Sequence, residues 1–215
     1  MVAPARALVA VPPELESPEA APLLCAGLTT FSALRRSKAR GGDLVVIQGI
    51  GGLGHLAIQF ARSMGFRVVA ITRGTNKRDL ALKLGAHHYI DSTNQNAAQE
   101  LQKLGGARVI VSTAANNGAM SPLVPGLAPR GQMLVVGAGG TDPISLSPID
   151  LLFGERGVEG TMTGSVADTE DTLAFSVLQN IRPMIESFPL EKAEQAFQRM
   201  MSNEARFRVV LVMKQ

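Results

Sequence analysis

Leu44-Val45-Val46-Ile47-Gln48-Gly49-Ile50-Gly51-Gly52-Leu53-Gly54 runs from an unbroken apolar stretch into a glycine-rich turn. Beyond it, apolar residues recur at Leu53, Leu56, Ala57, Phe60, Ala61 and Met64. That helical spacing marks one buried helix face, whereas the unbroken run suits a strand buried on both faces. Strand, glycine turn and helix together give weight to a G-x-G-x-x-G match that means little alone. In such a turn Gly49 permits the sharp exit from the strand, Gly51 lets the backbone approach a diphosphate, and Gly54 lets helix and sheet pack closely. Gly52 and Leu53 complete the loop, whose free N–H groups and helix dipole favour anionic phosphate. The stretch therefore predicts a dinucleotide site.

Working outward, the chain alternates strands and helices. Residues 1–11 read as an extended apolar piece without a partner, followed by a proline-bounded loop. A helix is expected from about Pro18 to Ser37. After the glycine-loop helix come a strand at Arg67 to Ile71, a helix capped near Thr75 and Asn76, and a short strand at His88 to Ile90. A helix over Ala97 to Leu104 and strands at Ala107 to Val111, Gly131 to Val136 and Val158 to Met162 follow. Pro122, Pro125 and Pro129 break the segment between the middle two. Asp168 is read as the cap of a helix through about Asn180. Such alternation implies a parallel sheet covered on both faces, with right-handed crossovers. With about six strands and the loop after the first, the expected fold is the α/β doubly wound parallel sheet, the Rossmann arrangement. Residues 184–215 leave this rhythm: a strand to Leu190, a helix carrying Leu190, Ala193, Phe197 and Met200 on one face, and a strand over Phe207 to Val212.

Composition narrows the function classes. Of 215 residues, 46% are hydrophobic and 18% charged, an ordinary globular balance. The net charge of +3 is dispersed and tryptophan is absent, unlike the basic stripe with stacking aromatics of a nucleic-acid binder. No apolar run approaches a bilayer span. The single cysteine, Cys25, excludes an intrachain disulfide and fits a reducing, cytoplasmic setting. Arg6 and Pro12-Pro13 argue against a signal peptide in the first residues.

Several segments in order carry a resemblance: Ala21-Pro22-Leu23-Leu24-Cys25-Ala26-Gly27-Leu28-Thr29, the Gly49-to-Gly54 loop, Lys83-Leu84-Gly85-Ala86 and Arg206-Phe207-Arg208-Val209-Val210-Leu211. Together they resemble the zinc-dependent medium-chain alcohol dehydrogenases, most closely the cinnamyl-alcohol-dehydrogenase-like branch. The resemblance implies hydride transfer between a nicotinamide cofactor and an alcohol or aldehyde. It also implies that residues 21–183 form the cofactor domain. Residues 1–20 and 184–215 would then be remnants of a catalytic domain that in the family precedes it and carries most zinc ligands. A non-catalytic cofactor-binding module or a dimerisation partner is the alternative. Cys25 matches a family zinc ligand, but His55, His87 and His88 do not stand at ligand spacing to it, and a catalytic zinc needs three protein ligands.

Cofactor choice is read from the end of the second strand. An NAD site places a carboxylate there for the ribose 2′-hydroxyl. Here Thr72 takes that place, with Arg73 and Lys77 after it. A hydroxyl and two cations suit a 2′-phosphate, hence NADP rather than NAD; a solvated loop ahead of a helix is the plain alternative. The resemblance further assigns Thr29 to the nicotinamide end and Arg208 to the diphosphate. Thr113, Ala114, Val136, Gly137, Thr161 and Thr163 stand at strand ends, where backbone groups would hold the carboxamide. It also implies a homodimer formed along Val158 to Met162.

Overall fold

A computed structural model describes residues 4–137 and 139–213. Met1 to Ala3, the start of the expected extended piece, lie outside the described residues. From Pro4 to Val11 that piece forms no ladder, only a 3-10 turn at Ala5–Ala7. The expected single helix from Pro18 to Ser37 is divided. α1 (Ser17–Pro22) ends at a proline, a π-helical turn (Leu23–Gly27) follows, and α2 (Leu28–Arg35) continues. Pro22 lacks the N–H that would extend a regular ladder through it, which accounts for the break in pattern.

β1 (Leu44–Gln48) is buried at every residue, as its unbroken apolar run requires. α3 (Gly54–Ser63), β2 (Arg67–Thr72), α4 (Arg78–Lys83), β3 (His88–Asp91), α5 (Ala97–Lys103) and β4 (Ala107–Ser112) follow. Two 3-10 turns, Asn117–Ala119 and Ser121–Gly126, replace a crossover helix where the prolines cluster. β5 (Leu127–Val135) begins before the expected Gly131, because Leu127 already pairs with Ala107 ahead of a bulge. α6 (Pro148–Leu152), β6 (Gly157–Gly160) and α7 (Val166–Leu178) come next. Asp168 is not the cap of α7: Ser165 is, and the Asp168 carboxylate returns the bond as the third residue of a capping box.

Among the described residues the main sheet has six parallel strands in the order β3-β2-β1-β4-β5-β6, the Rossmann arrangement. Successive side chains of one strand enter opposite cores. Val45, Ile47, Val68, Ala70, Val109 and Val111 face α2, α3 and α7. There Phe31, Phe60 and Phe175 pack with ring centroids 5.3–6.2 Å apart. Val46, Val69, Ile71, Ile110 and Met133 face α5 and the 3-10 turns, through Leu101, Leu123 and Val124.

A second, two-stranded parallel sheet joins β7 (Ile185–Pro189) to β8 (Arg208–Val212), connected by α8 (Ala193–Met201). The apolar face expected of this helix is largely open. Ala196 is the residue it buries, while Leu190, Phe197 and Met200 are about half exposed, at 50%, 54% and 49%. No helix among the described residues is long and apolar enough to cross a membrane.

Candidate functional site

The glycine loop joins the carboxyl end of β1 to α3, beside the point where the sheet order reverses between β1 and β4. Open α/β sheets bind ligands at that edge. Gly49 leaves the strand at φ +91°, and a Cβ there would stand 2.9 Å from Thr113 Oγ1. A Cβ on Gly54 would come within 1.8 Å of the Gly49 carbonyl oxygen, so only glycine allows this turn to close. Thr113 seals it by donating its hydroxyl to the carbonyls of Gln48 (2.9 Å) and Gly49 (3.1 Å). α3 begins after Leu53 and its ladder starts at once, with the His55 N–H on Gly51 O at 3.1 Å; the N–H groups of the loop residues ahead of it stand at the helix's amino end.

Side chains hold three successive loop carbonyls. Lys77 Nζ donates to Ile50 O at 2.7 Å, His55 Nδ1 to Gly51 O at 2.9 Å, and Arg208 Nε to Gly52 O at 3.1 Å. His55 is fully buried, and its Nε2 accepts the Met184 N–H at 3.0 Å. That acceptor role fixes the tautomer: the proton sits on Nδ1. Burial pushes the imidazole pKa down to about 4, with the Arg208 charge adding to the effect. Phe207 packs against the His55 ring at 5.0 Å between centroids and lies 5.6 Å from Lys77 Nζ. Burial lowers the pKa of Lys77, with a further push from Arg206, and that of Arg208.

A cavity of about 970 Å³ opens beside the loop at the carboxyl ends of β1, β2 and β4. Gln48, Gly49, Thr72, Arg73, Ser92, Thr93 and Ala114 are in its wall, which contains no carboxylate. Of the three residues read as a 2′-phosphate group, Thr72 and Arg73 line this cavity. Lys77 is turned away onto Ile50 O. Asp91, the register partner of Thr72, is the acid that ends β3. Its carboxylate is taken up by Gly74 N (2.7 Å), Thr93 N (2.9 Å) and Asn94 Nδ2 (2.8 Å). Those bonds, the Thr93 N–H foremost, hold its pKa below the usual carboxylate range. Tyr89 donates its hydroxyl to Gly74 O at 2.5 Å, so the peptides on both sides of Gly74, directly after Arg73, are fixed. The one signal of this clamp in the sequence is an acid at the end of a strand before Ser-Thr-Asn.

The remaining expected residues fall along the same strand-end edge, with less side-chain detail. Val136 and Gly137 follow β5, and both donate their N–H to Ser112 O. Thr161 follows β6 and donates its N–H to Val135 O at 3.0 Å, and Thr163 is exposed two residues on. Thr29 is buried in the first turn of α2. Cys25 is exposed on the π-helical turn, in the neighbourhood of Arg208. Among the described residues no three His, Cys, Asp or Glu side chains gather as metal ligands. The residues present therefore do not fit a catalytic zinc, which asks for three such ligands. His55 is committed to the loop, and His87 accepts the Val68 N–H while contacting Arg62.

Known proteins match this chain closely. It is 44% identical over 205 residues to an alcohol dehydrogenase, notN, of Aspergillus sp. (strain MF297-2), covering 95% of this chain and 60% of that protein. It is 43% identical over 208 residues to the alcohol dehydrogenase patD of Penicillium expansum, covering 96% and 60%. A solved cinnamyl alcohol dehydrogenase from Sorghum bicolor superposes with a TM-score of 0.82 at 34% identity, over 94% of this chain and 57% of that one. The chain thus spans about 60% of the length of the curated relatives it matches. Residues 52–178, more than half of the 215, match the family described as zinc-binding dehydrogenase, and the chain belongs to that family.

Proposed function

We propose that this chain is the NADP(H)-binding part of an alcohol dehydrogenase-type oxidoreductase, which moves a hydride between nicotinamide and an alcohol or aldehyde. The alcohol and aldehyde class rests on the names of its relatives. One observation carries the cofactor choice: the cavity beside the glycine loop has Thr72 and Arg73 in its wall and no carboxylate. An NAD site needs an acid there for the ribose hydroxyls, whereas a 2′-phosphate gains charge-assisted bonds from a guanidinium. The diphosphate would rest on the loop at Gly51, Gly52 and Leu53, with Arg208 beside it. The nicotinamide would extend past Thr113 and Ala114 toward Val136, Gly137 and the residues after β6, with Thr29 behind it. When bound, the cofactor supplies the hydride; the chain's own residues bind it, orient it and screen its charge.

A second reading, a cofactor-binding module without turnover of its own, is favoured by one observation. Cys25 lies in the neighbourhood of Arg208, and among the described residues no three His, Cys, Asp or Glu side chains gather around a metal position. We also propose a homodimer along β6. Among the described residues that strand ends the sheet with β5 as its one neighbour, and Ile149, Leu152, Phe153 and Met162 stand exposed around it. A cytoplasmic setting is proposed on the lone thiol of Cys25.

Fluorescence titration of the purified chain with NADPH and NADH tests the cofactor reading. NADPH is expected to bind at least about tenfold more tightly, and Arg73→Ala to remove most of that preference, a change of about 1.4 kcal/mol. Equal binding of the two cofactors by the wild type refutes it. Turnover of an aldehyde panel with added zinc separates the enzyme from the module.

A further inference from the structure

His55 is a buried, titratable side chain that the binding scheme above leaves without a task. Its two ring nitrogens join the loop to a segment far along the chain: Nδ1–H donates to Gly51 O, and Nε2 accepts the N–H of Met184, 129 residues beyond the histidine. The other two loop carbonyls, of Ile50 and Gly52, are held by Lys77 and Arg208. All three donors meet at one place, since Phe207 lies against both the His55 ring and the Lys77 amine and directly precedes Arg208. In a trans peptide the C=O and N–H point in opposite directions. Drawing these carbonyls toward the donors turns the N–H groups of Gly51, Gly52 and Leu53 away from them, to the open mouth of α3.

We infer that His55 is a positioning residue of the diphosphate cradle: it aims the Gly52 N–H by gripping the Gly51 carbonyl, and so ties residues 184–208 into the cofactor site. The inference rests on the dinucleotide reading and deepens it. Lys77 and Arg208 reach the loop on long, partly exposed stems and can turn to a ligand. His55 is enclosed, and Met184 fixes its ring from the other side, so its grip is permanent. The Gly51 oxygen also accepts the His55 backbone N–H at 3.1 Å, which makes the side chain a second restraint on the same peptide rather than its sole support.

Two substitutions separate the ring's two bonds. Asn at this position places an amide where Nδ1 stands and retains a donor to Gly51 O; Gln places its amide nearer Nε2 and retains an acceptor for Met184. His55→Gln is expected to lower NADPH affinity roughly three- to tenfold, the range of one lost hydrogen bond, while binding of 2′-AMP, which lacks the diphosphate, stays as in wild type. His55→Asn is expected to restore most of the NADPH affinity. Wild-type affinity in His55→Gln overturns the inference, and so does an equal loss of NADPH and 2′-AMP, or a loss in His55→Asn as large as in His55→Gln. Should the variants fail to fold, nitrogen NMR of the wild type decides: a neutral imidazole protonated on Nδ1 is expected, and protonation on Nε2 overturns the inference. A wild type that binds neither NADPH nor NADH refutes the dinucleotide reading itself. A wild type that binds NADPH beside an unaffected His55→Gln refutes only the role of His55.

Discussion

A methyl group on Gly54 would sit 1.8 Å from the Gly49 carbonyl oxygen, a backbone atom that cannot step aside without reopening the turn. Gly54→Ala is therefore expected to abolish measurable dinucleotide binding and to lower the melting temperature; retained NADPH binding in a titration would show the loop to be irrelevant. Tyr89→Phe takes away one side of the Gly74 clamp while leaving Asp91 in place. It should narrow the NADPH-over-NADH preference by a few fold through loosening of Arg73, with NADH binding itself unchanged. His55 sets an acid limit. Its native pKa is about 4 against an ordinary 6.5, so the unfolded chain takes up the proton first as pH falls. The stability gained by keeping the ring neutral is complete above pH 6.5 and is lost between pH 6.5 and 4, amounting to roughly 3 kcal/mol from the size of the shift. Urea unfolding at pH 7 and at pH 4 checks this, and His55→Asn should lose less over the same interval.

Among the elements, α7 shows how a local signal fixes a boundary. Ser165 accepts the Asp168 N–H at 3.2 Å, and Asp168 Oδ2 accepts the Ser165 N–H at 2.8 Å. Arg36 of the α2 C-terminus then pairs with the same carboxylate. Ser165→Ala is expected to cost about 1 kcal/mol in chemical denaturation, the usual worth of such a cap. Asp168→Asn should cost a comparable amount, because the reciprocal bond and the Arg36 pair both depend on it. Here the acid and the helix are plain in the sequence, but the serine three residues earlier is the residue at the helix start. α1 and α2 show the reverse: their apolar spacing reads as one helix, but Pro22 with the π-helical turn divides them, so that Leu23 and Ala26 are buried there while Leu24 and Cys25 are exposed.

At the scale of the whole molecule, the sheet order 3-2-1-4-5-6 brings the loop after β1, the cavity beside β2 and the ends of β4, β5 and β6 to a single edge. The outer strands of the sheet are β3 and β6, and beside β6 Phe153 and Met162 are more than four-fifths exposed. If that edge pairs with a second copy, sedimentation equilibrium should report a dimer for the wild type. Phe153→Asp should shift the population toward monomer while NADPH binding persists, because the cavity is formed from other strands. A monomeric wild type at micromolar concentration disposes of the dimer. The open faces of α8 and β8, through Phe197, Met200 and Leu211, are the other large apolar exposure.

Local pattern alone determined the strands, the glycine loop and the two-sided sheet, since burial on both faces demands unbroken apolar runs and a tight phosphate turn demands glycine. Thr72 and Arg73 were legible for the same reason: a residue's place at the end of β2 follows from where that strand stops. Only the tertiary structure decided where longer side chains spend their donors. Lys77 lies five residues past β2, yet it reaches Ile50, while Arg208 and Met184 approach the loop from more than a hundred residues away. A histidine in the first turn of a helix carries no mark of such partners. Its role depends on which distant backbone N–H arrives at its second nitrogen, and that meeting exists only once the chain has folded.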